Sequence, residues 1–137
     1  MDIEVSAKYL GDRIVESTHL KGGSTVVTDA PADRGGKGLN FAPVELCATS
    51  LAACTMTTLG IYGKNNNVDV DGMEATIVKI MADNPRRIGR IDILITMPDK
   101  EYSPQQKDAL ESAARSCPVR MSLHPDMEKN VAFKWAR

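Results

Sequence analysis

From Pro43 to about Gly63 the chain offers a helix with no polar face. Leu46, Cys47, Ala48, Leu51, Ala52, Ala53, Cys54, Met56, Leu59 and Ile61 are spread round its whole circumference. A helix that is apolar all round is normally buried on every side, and Pro43 in its first turn marks where it begins. Its many Ala, Ser and Thr residues let neighbouring backbones come close. The chain has 137 residues, the size of one domain. So short a chain has little left with which to cover every face of such a helix, and this points to a homodimer.

The remaining sequence supplies strands and one further helix. Ile3, Val5, Ala7 and Tyr9 alternate with Asp2, Glu4, Ser6 and Lys8, the pattern of a half-buried strand. Gly11-Asp12 turns the chain into a second strand over Arg13 to Leu20, and Gly22-Gly23 into a third over Ser24 to Thr28. Three antiparallel strands in a meander are the economical arrangement. Residues 29–40 are rich in Gly, Pro and charge and form a loop. Asn65-Asn66-Asn67 ends the main helix, and two long strands follow, roughly Val68 to Ala82 and Ile88 to Met97, joined through Asp83-Asn84-Pro85-Arg86. The second alternates cleanly through Ile91, Ile93, Ile95 and Met97. Ser103-Pro104-Gln105-Gln106 is a capping box with Pro at the first helical position. It opens a helix with Ala109, Leu110, Ala113 and Ala114 on one face. Cys117-Pro118 stops that helix, a short turn leads to His124-Pro125, and Val131, Phe133 and Trp135 alternate in a last strand. The whole reads as one α+β domain over residues 1–137, with no repeat or linker.

Composition narrows the function. A net charge of -1 gives no basic footprint for nucleic acid. With 4% aromatic residues there are no evident platforms for stacking bases or sugars. The start, Met1-Asp2-Ile3-Glu4-Val5, has neither the basic nor the apolar region of a secretory signal. The most apolar stretch, Val44 to Tyr62, holds Glu45 and several Ser and Thr residues, and so reads as short of a membrane span. Three cysteines, an odd number, do not make a disulfide framework. They read as reduced thiols of a cytoplasmic protein, where a disulfide is transient and catalytic rather than structural.

Each cysteine has two readings. Cys54, mid-helix among Ala52, Ala53 and Met56, fits a buried cysteine acting as a small hydrophobe. Cys117 precedes Pro118, which is either a helix stop or the first residue of a new helical turn. In the second case, the free N–H groups of that turn favour the reactive thiolate. Cys47 lies seven residues before Cys54, on nearly the same helix face. At roughly 10 Å along the axis, the two are too far apart for a disulfide, and Cys47 reads as core. The spacings of Cys47, Cys54, Cys117, His19 and His124 match no zinc pattern, so neither metal nor cofactor is expected. Gly35-Gly36-Lys37-Gly38 is like a phosphate loop only superficially, lacking the full spacing and a Ser or Thr after the Lys.

Taken together, two segments carry a family resemblance. Phe41-Ala42-Pro43-Val44-Glu45-Leu46 followed by Ser50-Leu51-Ala52-Ala53-Cys54-Thr55 resembles the first signature of the OsmC/Ohr superfamily of osmotically inducible and organic hydroperoxide resistance proteins. Ser116-Cys117-Pro118-Val119-Arg120-Met121-Ser122-Leu123 resembles the second. Asp29-Ala30-Pro31 with Gly35-Gly36 is similar to the loop before the first signature in OsmC-like members. The resemblance implies an OsmC-like fold, with antiparallel sheets packed around a long buried central helix in an intertwined homodimer. It also implies a thiol peroxidase for organic hydroperoxides. Cys54 would be the peroxidatic thiol that becomes a sulfenic acid, and Cys117 the resolving thiol whose disulfide a dithiol reductant later reduces. Residues such as Leu51 and Met56 would line an apolar pocket favouring alkyl hydroperoxides. The two sulfurs are expected within about 4 Å of each other or bonded.

The chain departs from the characterised peroxidases at one place. There a glutamate directly follows the motif proline and, with an arginine, activates the first thiol. Here that position is Val44 and the carboxylate is Glu45. Nine residues on a straight helix are about 900°, which puts Glu45 and Cys54 on opposite faces and roughly 13 Å apart. Glu45 also has a structural explanation as an acid in the first turn, facing the helix dipole. The Pro-x-Glu-Leu arrangement resembles the OsmC-like branch. Arg13 is the candidate activating arginine, with Arg34 behind it. The alternatives are a non-catalytic dimer binding a hydrophobic or thiol-reactive small molecule, or a cysteine redox sensor.

Overall fold

The alternating N-terminal segment forms β1 (Val5–Gly11), which pairs antiparallel with β2 (Ile14–His19), and β2 pairs in turn with β3 (Thr25–Thr28). This is the expected meander, in the computed structural model that describes residues 2–136. Asp12 and Arg13 both have positive φ, 54° and 67°, as a two-residue hairpin loop of the right twist demands. The Tyr9 hydroxyl accepts the Arg13 N–H at 3.0 Å. The expectation of a half-buried β1 needs correction. Val5 and Tyr9 are 54% and 64% exposed, and side chains on both faces of the strand are open to solvent.

The loop after β3 contains a short 3-10 turn, Ala32–Arg34, and closes on itself. Asp29 is buried, and its carboxylate accepts the Lys37 N–H at 3.3 Å. Gly36 is obligatory: a Cβ there would sit 1.7 Å from the Ala30 carbonyl oxygen. The glycines of this loop therefore serve backbone packing, with Gly36 donating its N–H to the Pro31 carbonyl.

The main helix, α1 (Pro43–Asn66), has 24 residues, three more than the sequence suggested. Asn67 at φ 53° ends it, and Val68 N–H donates back to the Gly63 carbonyl at 2.8 Å. A side chain at Gly63 would meet the Val68 oxygen at 2.4 Å. Hydroxyls on this helix find partners one turn back, the buried Thr55 donating to the Leu51 carbonyl and the half-buried Thr58 to that of Cys54. Burial on every side is not observed. Ala48, Leu51, Ala52, Thr55, Leu59 and Gly63 are buried as a stripe at three- and four-residue spacing. Ala53, Thr57 and Ile61 are exposed, Ile61 at 58%. By length and composition α1 is also apolar enough to cross a bilayer, contrary to the reading of Val44 to Tyr62. Core helices of water-soluble proteins meet the same criterion.

The second sheet comprises β4 (Glu74–Ala82), β5 (Arg87–Thr96) and β6 (Glu128–Lys134), with β5 in the middle. β4 starts six residues later than the sequence suggested. Asp69 Oδ1 accepts the Asp71 N–H at 3.0 Å and Gly72 takes φ 92°, so residues 69–72 form a turn. The expectation of antiparallel sheets is corrected here: β5 and β4 are antiparallel, but β5 and β6 are parallel. A parallel partner requires a crossover, supplied by α2 (Pro104–Ala113) and α3 (Pro118–Ser122). Ser103 caps α2 with both bonds of the box in place. Ile91, Ile93, Ile95 and Met97 are all buried, as their alternation required. With Leu51, Leu59, Leu110, Ala114 and Cys117 they form the core of this part of the chain.

The chain divides into two compact units, Met1–Leu46 and Cys47–Arg137. The first holds the meander and the start of α1. The second holds the rest of α1, the mixed sheet, α2 and α3.

Candidate functional site

Cys117 is the N-cap of α3, with φ -72° and ψ 143°. Of the two readings of Pro118, the structure shows the first residue of a new helical turn. Proline is suited to that position because its missing N–H would have had no helical partner. The Cys117 sulfur accepts the Arg120 N–H at 3.3 Å, and the residue is fully buried. Arg120 also ties the short helix down, donating from Nη2 to the Lys129 carbonyl on β6 at 3.0 Å.

The other wall of the site is α1. Thr55 is fully buried, and its hydroxyl oxygen lies 3.7 Å from the Cys117 sulfur. Cys54 is the preceding residue, its Cα about 3.8 Å from that of Thr55. Cys54 is half-buried, so the two thiols differ in access. The α2–α3 crossover and α1 thus bring Cys117 against Thr55, the neighbour of Cys54, 62 positions away in sequence. The cysteines are free thiols, not a bonded pair. Sequence reasoning gave no role to Thr55. Its signal was a hydroxyl on an apolar helix one residue beyond a cysteine.

Cys47, read as core, is half-buried instead, because it lies on the rim of the buried stripe. Leu51 is wholly buried and Met56 half-buried, so Leu51 is core packing. His19 and His124 serve local turns, their Nδ1 atoms accepting the Gly22 and Asp126 N–H groups, each at 3.0 Å.

Glu45 and Arg13 belong to the first unit. The Glu45 carboxylate accepts the Ala42 N–H at 2.8 Å, satisfying a donor at the start of α1 as the acidic half of a capping box does. Because α1 is unbroken, Glu45 stays nine residues from Cys54 along it. The Arg13 side chain is 55% exposed and lies 3.9 Å from the Asp12 carboxylate. Its guanidinium also covers Gly35, where a Cβ would stand 3.1 Å from Cζ. Arg34 is exposed at the end of the 3-10 turn.

The site therefore comprises a half-buried thiol on α1 and a buried Cys-Pro thiol at the start of α3, with Thr55, the neighbour of the first, in contact with the second. The family model of OsmC-like proteins matches residues 35–131, and the chain belongs to the OsmC family. It is similar to a candidate osmotic stress induced and detoxification response protein from Psychrobacter arcticus 273-4. The two are 35% identical over 98% of this chain and 97% of that one, with a TM-score of 0.94. The fold is shared with the organic hydroperoxide resistance protein OsmC of Legionella pneumophila, at 16% identity, 95% and 94% coverage and a TM-score of 0.75. It is shared also with an organic hydroperoxide resistance protein of Bacillus subtilis, at 21% identity, 98% coverage of both chains and a TM-score of 0.68. No curated protein matches the chain.

Proposed function

We propose that the protein is a thiol-dependent peroxidase that reduces organic hydroperoxides in the cytoplasm. The observation that carries this reading is the contact between the buried Cys117 thiol and Thr55, the residue next to the more accessible Cys54. Family membership and the names of the Legionella and Bacillus structures support it. In this reading the Cys54 thiolate attacks the outer oxygen of R–O–O–H. The O–O bond breaks, the alkoxide leaves as the alcohol after taking a proton, and Cys54 becomes a sulfenic acid. The Cys117 sulfur then attacks the Cys54 sulfur, the S–O bond breaks, and water leaves behind a disulfide. A dithiol reductant restores both thiols by two exchange steps and ends as its own disulfide.

The functional unit we infer is an intertwined homodimer, in which a second copy covers the apolar face of α1 around Ala53 and Ile61 and the exposed side chains of β1.

Wild-type protein should consume an alkyl hydroperoxide such as tert-butyl or cumene hydroperoxide catalytically with dithiothreitol, and hydrogen peroxide more slowly. Absence of turnover with several alkyl hydroperoxides would sink the enzyme reading. Val44, standing where the characterised peroxidases have glutamate, favours a second one: a redox sensor, which forms the disulfide once without sustained turnover.

A further inference from the structure

Thr55 has one hydroxyl proton and uses it. The hydroxyl donates to the Leu51 carbonyl at 2.8 Å, an atom that only accepts. Toward Cys117, 3.7 Å away, Thr55 therefore accepts, and the thiol donates. The Cys117 sulfur accepts in turn from the Arg120 N–H at 3.3 Å. Both groups are completely buried, so neither has water as an alternative partner. The chain Arg120 N–H to Sγ, S–H to Thr55 Oγ1, and Oγ1–H to Leu51 O fixes the direction of every bond. It points the Cys117 proton at the residue adjoining Cys54.

We propose that Thr55 is a positioning residue for the resolving half-reaction, holding the Cys117 thiol toward the Cys54 segment through its S–H bond. The role rests on the reading of Cys54 and Cys117 as a redox pair. In that step the Cys117 sulfur supplies the electron pair for the S–S bond. The S–O bond of the Cys54 sulfenic acid breaks, and its electrons leave with the oxygen. The proton released by Cys117 and the departing hydroxide make water. Thr55 is unchanged at the end. It fixes where the thiol and its proton stand at the start.

The test is a single-turnover experiment with one equivalent of cumene hydroperoxide on the full chain. Sulfenic acid would be followed by dimedone labelling and disulfide by thiol loss. Thr55→Val keeps the shape and removes the hydroxyl. It should form the Cys54 sulfenic acid at the wild-type rate and close the disulfide roughly three- to tenfold more slowly, because the Cys117 thiol loses the orientation that one modest hydrogen bond enforces. Thr55→Ser should restore most of that rate. A Thr55→Val disulfide rate equal to wild type, or a Thr55→Ser rate as slow as Thr55→Val, overturns the role. If wild type forms sulfenic acid but no disulfide, the redox-pair reading fails and this role with it. As a check independent of peroxide, the S–H infrared band of Cys117 in a Cys47→Ser/Cys54→Ser background should move to higher frequency in Thr55→Val. An unmoved band contradicts the assigned bond.

Discussion

Cys54→Ser should lose dithiol-dependent hydroperoxide consumption down to the uncatalysed background, while Cys117→Ser keeps the first chemical step. The difference follows from what each sulfur does and where it sits. Only a thiolate attacks the peroxide oxygen at a useful rate, and a serine hydroxyl does not ionise in this range. Cys54 is half-buried, whereas Cys117 is fully buried against Thr55 and the Arg120 N–H. Without Cys117, the Cys54 sulfenic acid has no internal partner, so it should persist, take a dimedone label, and proceed to sulfinic acid under excess peroxide. Turnover by Cys117→Ser should then depend on direct reduction by the external thiol. Wild-type turnover in Cys54→Ser, or a persistent sulfenic acid on Cys117 rather than Cys54, would reverse the assigned roles.

Ile93→Ala should lower stability by about 2–5 kcal/mol, the range for truncating a buried Ile to Ala. Ile93 is 2% exposed on the central strand and stands in register with Ile77 on β4 and Val131 on β6. The lost methyl groups leave a void between two fixed ladders, which cannot close without breaking strand pairing. Urea unfolding should show the loss as a lower midpoint with an unchanged slope. A change below about 1 kcal/mol would mean that the site collapses freely or that β5 is not the centre of the core.

The parts of the fold that could be read from sequence are those governed by local rules. Ile91, Ile93 and Ile95 alternate because one face of β5 is buried, and Ser103 with Gln106 makes a cap from four consecutive residues. Pro118 admitted a helix stop or a first helical position, and the structure takes the second. Reading failed where the deciding interaction is not local. Val68 and Val70 are buried and look like strand, but the turn through Asp69, Asp71 and Gly72 delays β4. The parallel pairing of β6 depends on where the α2–α3 crossover returns the chain, which no period in β6 encodes. α3, with five residues, is too short to show a helical period. At the site, both cysteines were legible from their motifs. The Thr55–Cys117 contact was not, because it joins residues 62 positions apart. Helix α1 shows the same limit. Its apolar circumference was plain, but which stripe a single chain buries depends on packing against distant segments.

The central claim is that Cys54 and Cys117 form one redox pair. The most direct test is peptide mapping by mass spectrometry, under non-reducing conditions, after one equivalent of cumene hydroperoxide. Loss of two hydrogens per chain, a linked peptide joining Cys54 to Cys117, and Cys47 still free is the expected result. Cys54 and Cys117 both remaining thiols, or a disulfide that uses Cys47 instead, would contradict it.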